Sequence, residues 1–108
     1  MIKLKSGVRL RGLRPEMALA HTIVAAVYAD YTTDCVITSA NDSGHGWGSL
    51  HFAGAALDYR TNTVPDLVVK QELQLTIASA LGEDFDVILE NVGLPQEHLH
   101  VEYQSKRA

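Results

Sequence analysis

The chain has 108 residues, which is enough for one domain spanning residues 1–108 and too few for two. Hydrophobic residues make up 46% and charged residues 20%, an ordinary composition for a globular fold. The net charge of −4 argues against nucleic acid as a partner. The longest apolar stretch, residues 23–29, is too short to insert across a membrane.

The first part of the chain predicts a short strand or packed arm, then a helix and a core strand. Apolar and basic side chains alternate loosely over residues 1–14. Pro15 then occupies the first-turn position that proline favours, and the apolar spacing that follows predicts a helix over residues 15–30. We expect its buried face to comprise Met17, Ala20, Val24 and Val27, widened by Leu19, Ile23 and Ala26. The β-branched run at residues 36–38 predicts the first core strand.

The later part of the chain predicts a second helix and further strands. Helical spacing covers residues 66–81, with Asp66 as the N-terminal cap and Gly82 as the stop. We expect this helix to bury Leu67, Leu73, Ile77 and Leu81. Residues 85–90 and 98–103 predict strands, joined by a loop at residues 91–96. Helices and strands mixed without regular alternation predict an α+β fold with a small antiparallel sheet flanked by helices.

The single cysteine, Cys35, excludes an intramolecular disulfide. Because it lies beside the predicted core strand, we expect a buried small hydrophobic residue rather than a catalytic thiol. No apolar run follows the basic N-terminal residues before Arg9 and Arg11, so the pattern does not predict a signal peptide. We expect synthesis in the cytoplasm.

Two segments carry the residues that indicate chemistry. His51 and Asp58 lie seven residues apart, and Glu97, His98 and His100 follow late in the chain. Two imidazoles and one carboxylate match the ligand count of a catalytic zinc, which keeps its fourth position for water. A further Glu or His beside such a site would accept a proton from that water.

Strand periodicity suggests one way of choosing the ligands. Residues two apart in a strand share a face, so His98, His100 and Glu102 point the same way. From the residues alone, His98 and His100 would therefore form the ligand pair. The same periodicity places Glu97 on the opposite face, unless the chain bends near Pro95.

The same segments resemble a known family, through the motif Ser49-x-His51-x-x-Gly54-x-Ala56-x-Asp58 and the later Glu97-x-x-His100. This motif is similar to the signature of zinc D-Ala-D-Ala carboxypeptidases and L-alanyl-D-glutamate endopeptidases. These enzymes share a fold group with lysostaphin-type peptidases and the hedgehog domain. The resemblance implies Zn²⁺ held by His51, Asp58 and His100. It also implies Glu97 as the general base, with His98 as the alternative catalytic residue.

The resemblance further implies a function: a monomeric, endolysin-like peptidase that hydrolyses stem peptides of bacterial peptidoglycan at the cell wall. The chain departs from the family in one respect, since no arginine follows Thr38-Ser39, where many relatives place one. Arg60, His98 or a basic residue of the N-terminal segment could take its role. Two other functions remain open, a zinc-binding domain without hydrolysis and a metal-free domain.

Overall fold

The structure, a computed structural model, describes residues 2–40 and 54–105. Within those ranges it contains two helices, α1 (Pro15–Asp30) and α2 (Leu67–Leu81), and five strands. The strands are β1 (Ile2–Leu4), β2 (Cys35–Ser39), β3 (Ala56–Arg60), β4 (Phe85–Glu90) and β5 (His98–Tyr103). The predicted α+β fold is confirmed, and the N-terminal segment begins as a strand. Residues 41–53, and with them the predicted metal ligand His51, lie outside the described residues.

Helix α1 has the predicted bounds but a narrower buried face. Pro15 is its first residue, and Arg14 before it is extended. Proline needs no hydrogen-bond partner there and has the φ of a helix. The buried residues are Met17, Ala20, Val24, Val27 and Tyr28. The expectation that Leu19, Ile23 and Ala26 widen this face is wrong, because all three are exposed.

Helix α2 begins and ends as predicted. The Asp66 carboxylate accepts a hydrogen bond from the Val69 N–H at 2.9 Å, which satisfies one of the free donors of the first turn. Gly82 ends the helix with a φ of 90°, a conformation that glycine adopts without strain. Leu73 and Ile77 are fully buried and Leu81 packs against the core. Leu67, predicted to be buried, is 45% exposed because it lies in the first turn.

The sheet has the strand order β1-β2-β3-β5-β4. Strands β1 and β2 are parallel, and the other neighbouring pairs are antiparallel. Both helices pack on one face, where they meet Leu57, Tyr59, Leu99 and Val101 in a single core. Because side chains alternate along a strand, the residues between these point to the other face. That open face carries Asp58, Arg60, His98 and His100.

Strand β3 is tied to α1 by two tyrosines. The buried Tyr28 hydroxyl donates to the Arg60 carbonyl at 2.9 Å. Tyr59, also fully buried, has its hydroxyl 2.9 Å from Nδ1 of His21. These contacts hold the core-facing side of β3 and thereby fix the direction of Asp58, which lies between Leu57 and Tyr59.

Gly54 lets the N-terminal segment pass close to the start of β3. It has a φ of 74°, and a Cβ built there would lie 1.9 Å from the Gly12 carbonyl oxygen. The Gly54 carbonyl accepts from the Arg14 N–H at 2.9 Å. A side chain at this position would collide with the backbone of Gly12, so the close approach requires glycine.

Two further findings concern predictions from composition. Cys35 is buried, and burial raises the pKa of its thiol to about 12, so it behaves as a small hydrophobic residue. Neither helix in the described part of the chain has the length and apolar character needed to cross a bilayer.

The core predicts a contrast between two residues of α2. Ile77→Ala removes a fully buried side chain, whereas Leu75→Ala trims one that is 67% exposed. We expect Ile77→Ala to lower the free energy of unfolding by about 2–5 kcal/mol because it leaves a cavity. We expect Leu75→Ala to change it by less than about 0.5 kcal/mol. Urea denaturation measures both, and equal midpoints would contradict this packing.

Candidate metal centre

The antiparallel register of three strands assembles the candidate site. Strand β5 lies between β3 and β4, with His100 opposite Asp58 on one side and Ile88 on the other. His98 lies opposite Arg60 and Glu90. All of these positions belong to the open face. The sheet thus brings together side chains that are distant in the sequence.

Four side chains on this face form a compact group. Asp58, Glu90, His98 and His100 each offer one ligand atom, and these atoms lie within 4.8 Å of one another. Nδ1 of His100 is 2.7 Å from Oδ1 of Asp58. Nε2 of His98 is 2.8 Å from Oε1 of Glu90 and 3.7 Å from Oδ1 of Asp58. This group could hold a metal ion.

Each histidine of the group has a second partner that orients its ring. Nδ1 of His98 donates to the Gln96 carbonyl oxygen at 2.9 Å, because that oxygen can only accept. Nε2 of His100 lies 2.7 Å from Oε1 of Glu102. In metal-bound histidines, the N–H of the nitrogen that does not bind the metal characteristically donates a hydrogen bond to a carbonyl or carboxylate in this way. The partners therefore turn Nε2 of His98 and Nδ1 of His100 toward the group.

The group needs positive charge between its acceptors. Both ring nitrogens of His98 and of His100 face oxygen atoms that accept, so a neutral ring would set one lone pair against an oxygen. Either a second proton or a metal ion removes that repulsion. Imidazole and carboxylate together suit first-row transition metals such as zinc.

The pKa values of the two rings follow from the same contacts. Burial disfavours the charged form of His100, but hydrogen bonds with Asp58 and Glu102 outweigh it and raise its pKa to about 9. Burial also opposes charge on His98, yet the Gln96 carbonyl and the carboxylates of Asp58 and Glu90 raise its pKa. Protons and a metal ion therefore compete for these nitrogens.

The sequence predictions place these residues as follows. Asp58 and His100 meet directly, and the prediction that His98 and His100 share a strand face is confirmed. His51, the third ligand that the resemblance implies, lies outside the described residues. Sequence reasoning did not include Glu90 among the candidate ligands. The two predicted strands, 85–90 and 98–103, would have revealed it, since an antiparallel hairpin joining them places Glu90 opposite His98.

Glu97 lies just before β5 and is held by three donors. Its Oε1 accepts from Thr61 Oγ1 at 2.7 Å and from Lys70 Nζ at 2.5 Å, and its Oε2 accepts from the Gly93 N–H at 2.9 Å. Burial favours the neutral acid, but these bonds, led by that from Lys70, lower the pKa of Glu97 to about 2. The carboxylate is therefore an anion near neutral pH, and its low pKa makes it a weak proton acceptor.

A groove of about 560 Å³ runs along the open face beside the group. Asp58, His98 and Glu97 line it, together with three basic side chains, Lys5, Arg60 and Lys70. Lys70 pairs with Glu97, whereas Lys5 and Arg60 have no hydrogen-bonded or ionic side-chain partner within the described chain. Two of the sources of positive charge that the sequence suggested, Arg60 and the N-terminal segment, therefore both reach the groove.

Comparison with known protein families, with curated proteins and with solved structures finds no match to this chain.

The group predicts loss of metal in two variants. We expect Asp58→Ala and His100→Ala to bind less than a tenth of the divalent metal bound by the unchanged protein, since both residues face the shared ligand cluster. The matched control is Glu83→Gln, which removes an exposed carboxylate outside the group. Elemental analysis after dialysis measures the metal. Full occupancy in Asp58→Ala and His100→Ala would show that the metal lies elsewhere.

Proposed function

We propose that the chain is a zinc-dependent peptidase that hydrolyses stem peptides of bacterial peptidoglycan. One observation carries the proposal: Asp58 and His100, 42 residues apart in sequence, meet at 2.7 Å on the open face beside a groove. The resemblance to cell-wall zinc peptidases pairs the same two residues as ligands. We further propose that the protein acts as a monomer, made in the cytoplasm and active at the wall.

Zinc suits the donor atoms of this group. Zinc bonds to nitrogen and oxygen are about 2.0–2.2 Å long, so tetrahedral ligands lie about 3.3 Å apart. The distances from Oδ1 of Asp58 to the nearer nitrogens of His100 and His98, 2.7 and 3.7 Å, bracket that value. Small side-chain rotations, of roughly half an ångström at the ligand atoms, would accommodate the ion.

The third protein ligand distinguishes two versions of the proposal. The resemblance supplies His51, which leaves His98 free to line the groove. The arrangement of the described residues supplies His98 itself, within 3.7 Å of Asp58. We adopt His51, because His98 then remains available for proton transfer beside the ligands.

When bound, zinc lowers the pKa of a coordinated water to about 7 and polarises a carbonyl group. The protein must add a proton acceptor, for which the candidates are Glu97 and His98. The three donors on Glu97 support His98, whose ring lines the groove with Nε2 toward the ligand group. Glu90, 2.8 Å from that nitrogen, would stabilise the ring once it gains a proton.

Lys5 and Arg60 supply positive charge for the anionic groups of the substrate, at positions separate from the metal ligands. Stem peptides carry free carboxylates, and hydrolysis builds negative charge on the scissile carbonyl. Arg60 lies opposite His98 in the sheet, and Lys5, the residue after β1, also lines the groove. Their position in the groove supports a role in binding such groups, in place of the arginine that the family motif would lead one to expect after Ser39.

The direct test is incubation of the zinc-loaded protein with purified peptidoglycan and mass analysis of the released fragments. We expect loss of terminal D-Ala or cleavage between L-Ala and D-Glu, abolished by chelation and restored by zinc. Intact peptidoglycan with zinc bound would support the second candidate, a non-catalytic zinc-binding domain. The engagement of Glu97 with three donors is the observation that favours that candidate.

His98→Ala separates the two versions of the ligand set. If His51 is the third ligand, we expect zinc to remain and kcat to fall about 10²- to 10⁴-fold, the usual loss for a general base. If His98 is a ligand, zinc is lost instead. Gln96→Ala is the control, because it keeps the backbone carbonyl that orients His98. Unchanged kcat with zinc in place would contradict both versions.

Lys5→Met and Arg60→Met test the binding of anionic substrate groups. Hydrogen bonds to charged groups contribute about 1.5–3 kcal/mol, so we expect kcat/KM to fall roughly 10- to 100-fold. Lys3→Met is the matched control, since Lys3 pairs with Asp34 and does not line the groove. Equal activity in all three variants would remove Lys5 and Arg60 from the mechanism.

A further inference from the structure

The Glu97 carboxylate joins three separate parts of the chain. Thr61 follows the last residue of β3, Lys70 lies in the first turns of α2, and Gly93 belongs to the turn between β4 and β5. The side chains of Glu97 and Lys70 are only 9% and 17% exposed, and Thr61 is fully buried. Glu97 is therefore part of the packed structure at the rim of the groove.

The same turn carries the group that orients His98. Residues 91–97 are closed by backbone hydrogen bonds from Leu94 to Asn91 and from Glu97 to Leu94. Within this turn, the Gln96 carbonyl accepts from Nδ1 of His98. The side chain of Glu97 thus holds the turn through the Gly93 N–H, and the turn orients the His98 ring through the Gln96 carbonyl.

Both oxygens of Glu97 accept hydrogen bonds from the surrounding protein. Oε1 accepts two hydrogen bonds and Oε2 accepts a third. A general base needs an oxygen directed at the proton it takes, within about 3 Å. The metal-ligating group on the open face contains Asp58, Glu90, His98 and His100 but not Glu97.

We propose that Glu97 is a positioning residue and not the proton acceptor: anchored by Lys70, Thr61 and the Gly93 N–H, it holds the turn that orients His98 in the groove. The proposal rests on the peptidase function proposed above, and it assigns Lys70 a part in that function. It reverses the role that the Glu-x-x-His resemblance implies for Glu97.

The test compares Glu97→Gln, Lys70→Met and the double variant Lys70→Met/Glu97→Gln. Glu97→Gln leaves the buried Lys70 without its carboxylate, so we expect the turn to shift and kcat to fall about 10²-fold. The double variant removes both charges and keeps one acceptor oxygen on residue 97. We therefore expect its kcat to recover at least about tenfold over Glu97→Gln, with KM and zinc content near those of the unchanged protein.

A general base gives the opposite pattern. The double variant would then be as inactive as Glu97→Gln, since an amide cannot accept the proton, and Lys70→Met alone would keep its kcat. That result overturns the proposal. Lys3→Met and Asp34→Asn are the matched controls, because they break the exposed Lys3–Asp34 pair, 2.9 Å apart, and should leave kcat unchanged.

A second measurement tests the positioning without any activity. Long-range ¹H–¹⁵N correlation spectra of the zinc-loaded protein report which nitrogen of His98 carries the hydrogen. We expect Nδ1 to carry a hydrogen bonded to the Gln96 carbonyl in the unchanged protein and in the double variant, and this hydrogen-bonded signal to be lost in Glu97→Gln. An unchanged His98 spectrum in Glu97→Gln overturns the proposal. Absence of peptidoglycan cleavage by the unchanged protein would instead overturn the peptidase function, and the spectra would still decide the role of Glu97.

Discussion

The site depends on one pairing, that of Asp58 on β3 with His100 on β5, joined at 2.7 Å. This pairing requires the correct strand register, because a slip of one residue would turn every side chain of a strand to the other face. The core prevents such a slip. The helices fully bury four side chains of β3 and β5: Leu57, Tyr59, Leu99 and Val101. The side chains of the residues between them must therefore point to the open face.

The open face is rich in acceptors, and this determines its chemistry. The imidazole rings of His98 and His100 lie among three carboxylates, those of Asp58, Glu90 and Glu102. The ring nitrogens that point away from the group, Nδ1 of His98 and Nε2 of His100, contact the Gln96 carbonyl and Glu102. Carboxylates brought this close repel one another unless positive charge lies among them. Protonated histidines supply it in the absence of metal, and a bound cation supplies it otherwise. The same arrangement, which is unfavourable while both imidazole rings are neutral, is the one that could hold a metal ion.

Local patterns predicted the elements well, because their signals are local. Pro15 and Asp66 mark the two helix starts, and Gly82 marks a stop. The strands predicted over residues 85–90 and 98–103 match the bounds of β4 and β5. The predicted widening of the buried face of α1 is wrong. The helix packs along a single stripe, which leaves Leu19 and Ile23 exposed. Spacing cannot show how wide that stripe is, because the width depends on the packing partner.

The site was predictable to a lesser degree. That His98 and His100 share a face follows from strand period, and the place of Glu90 follows from strand pairing. The engagement of Glu97 follows from neither, because its partners come from three separate elements. In a strand, residues three positions apart point to opposite faces of the sheet. The Glu of a Glu-x-x-His pattern therefore reaches the same site as the His only where the chain bends between them. Here the chain does bend, at the turn before β5, but the bend carries the carboxylate to Lys70 and the Gly93 N–H. A spacing motif thus specifies which residues are neighbours in the chain, while the turn between them decides whether they share a chemical role.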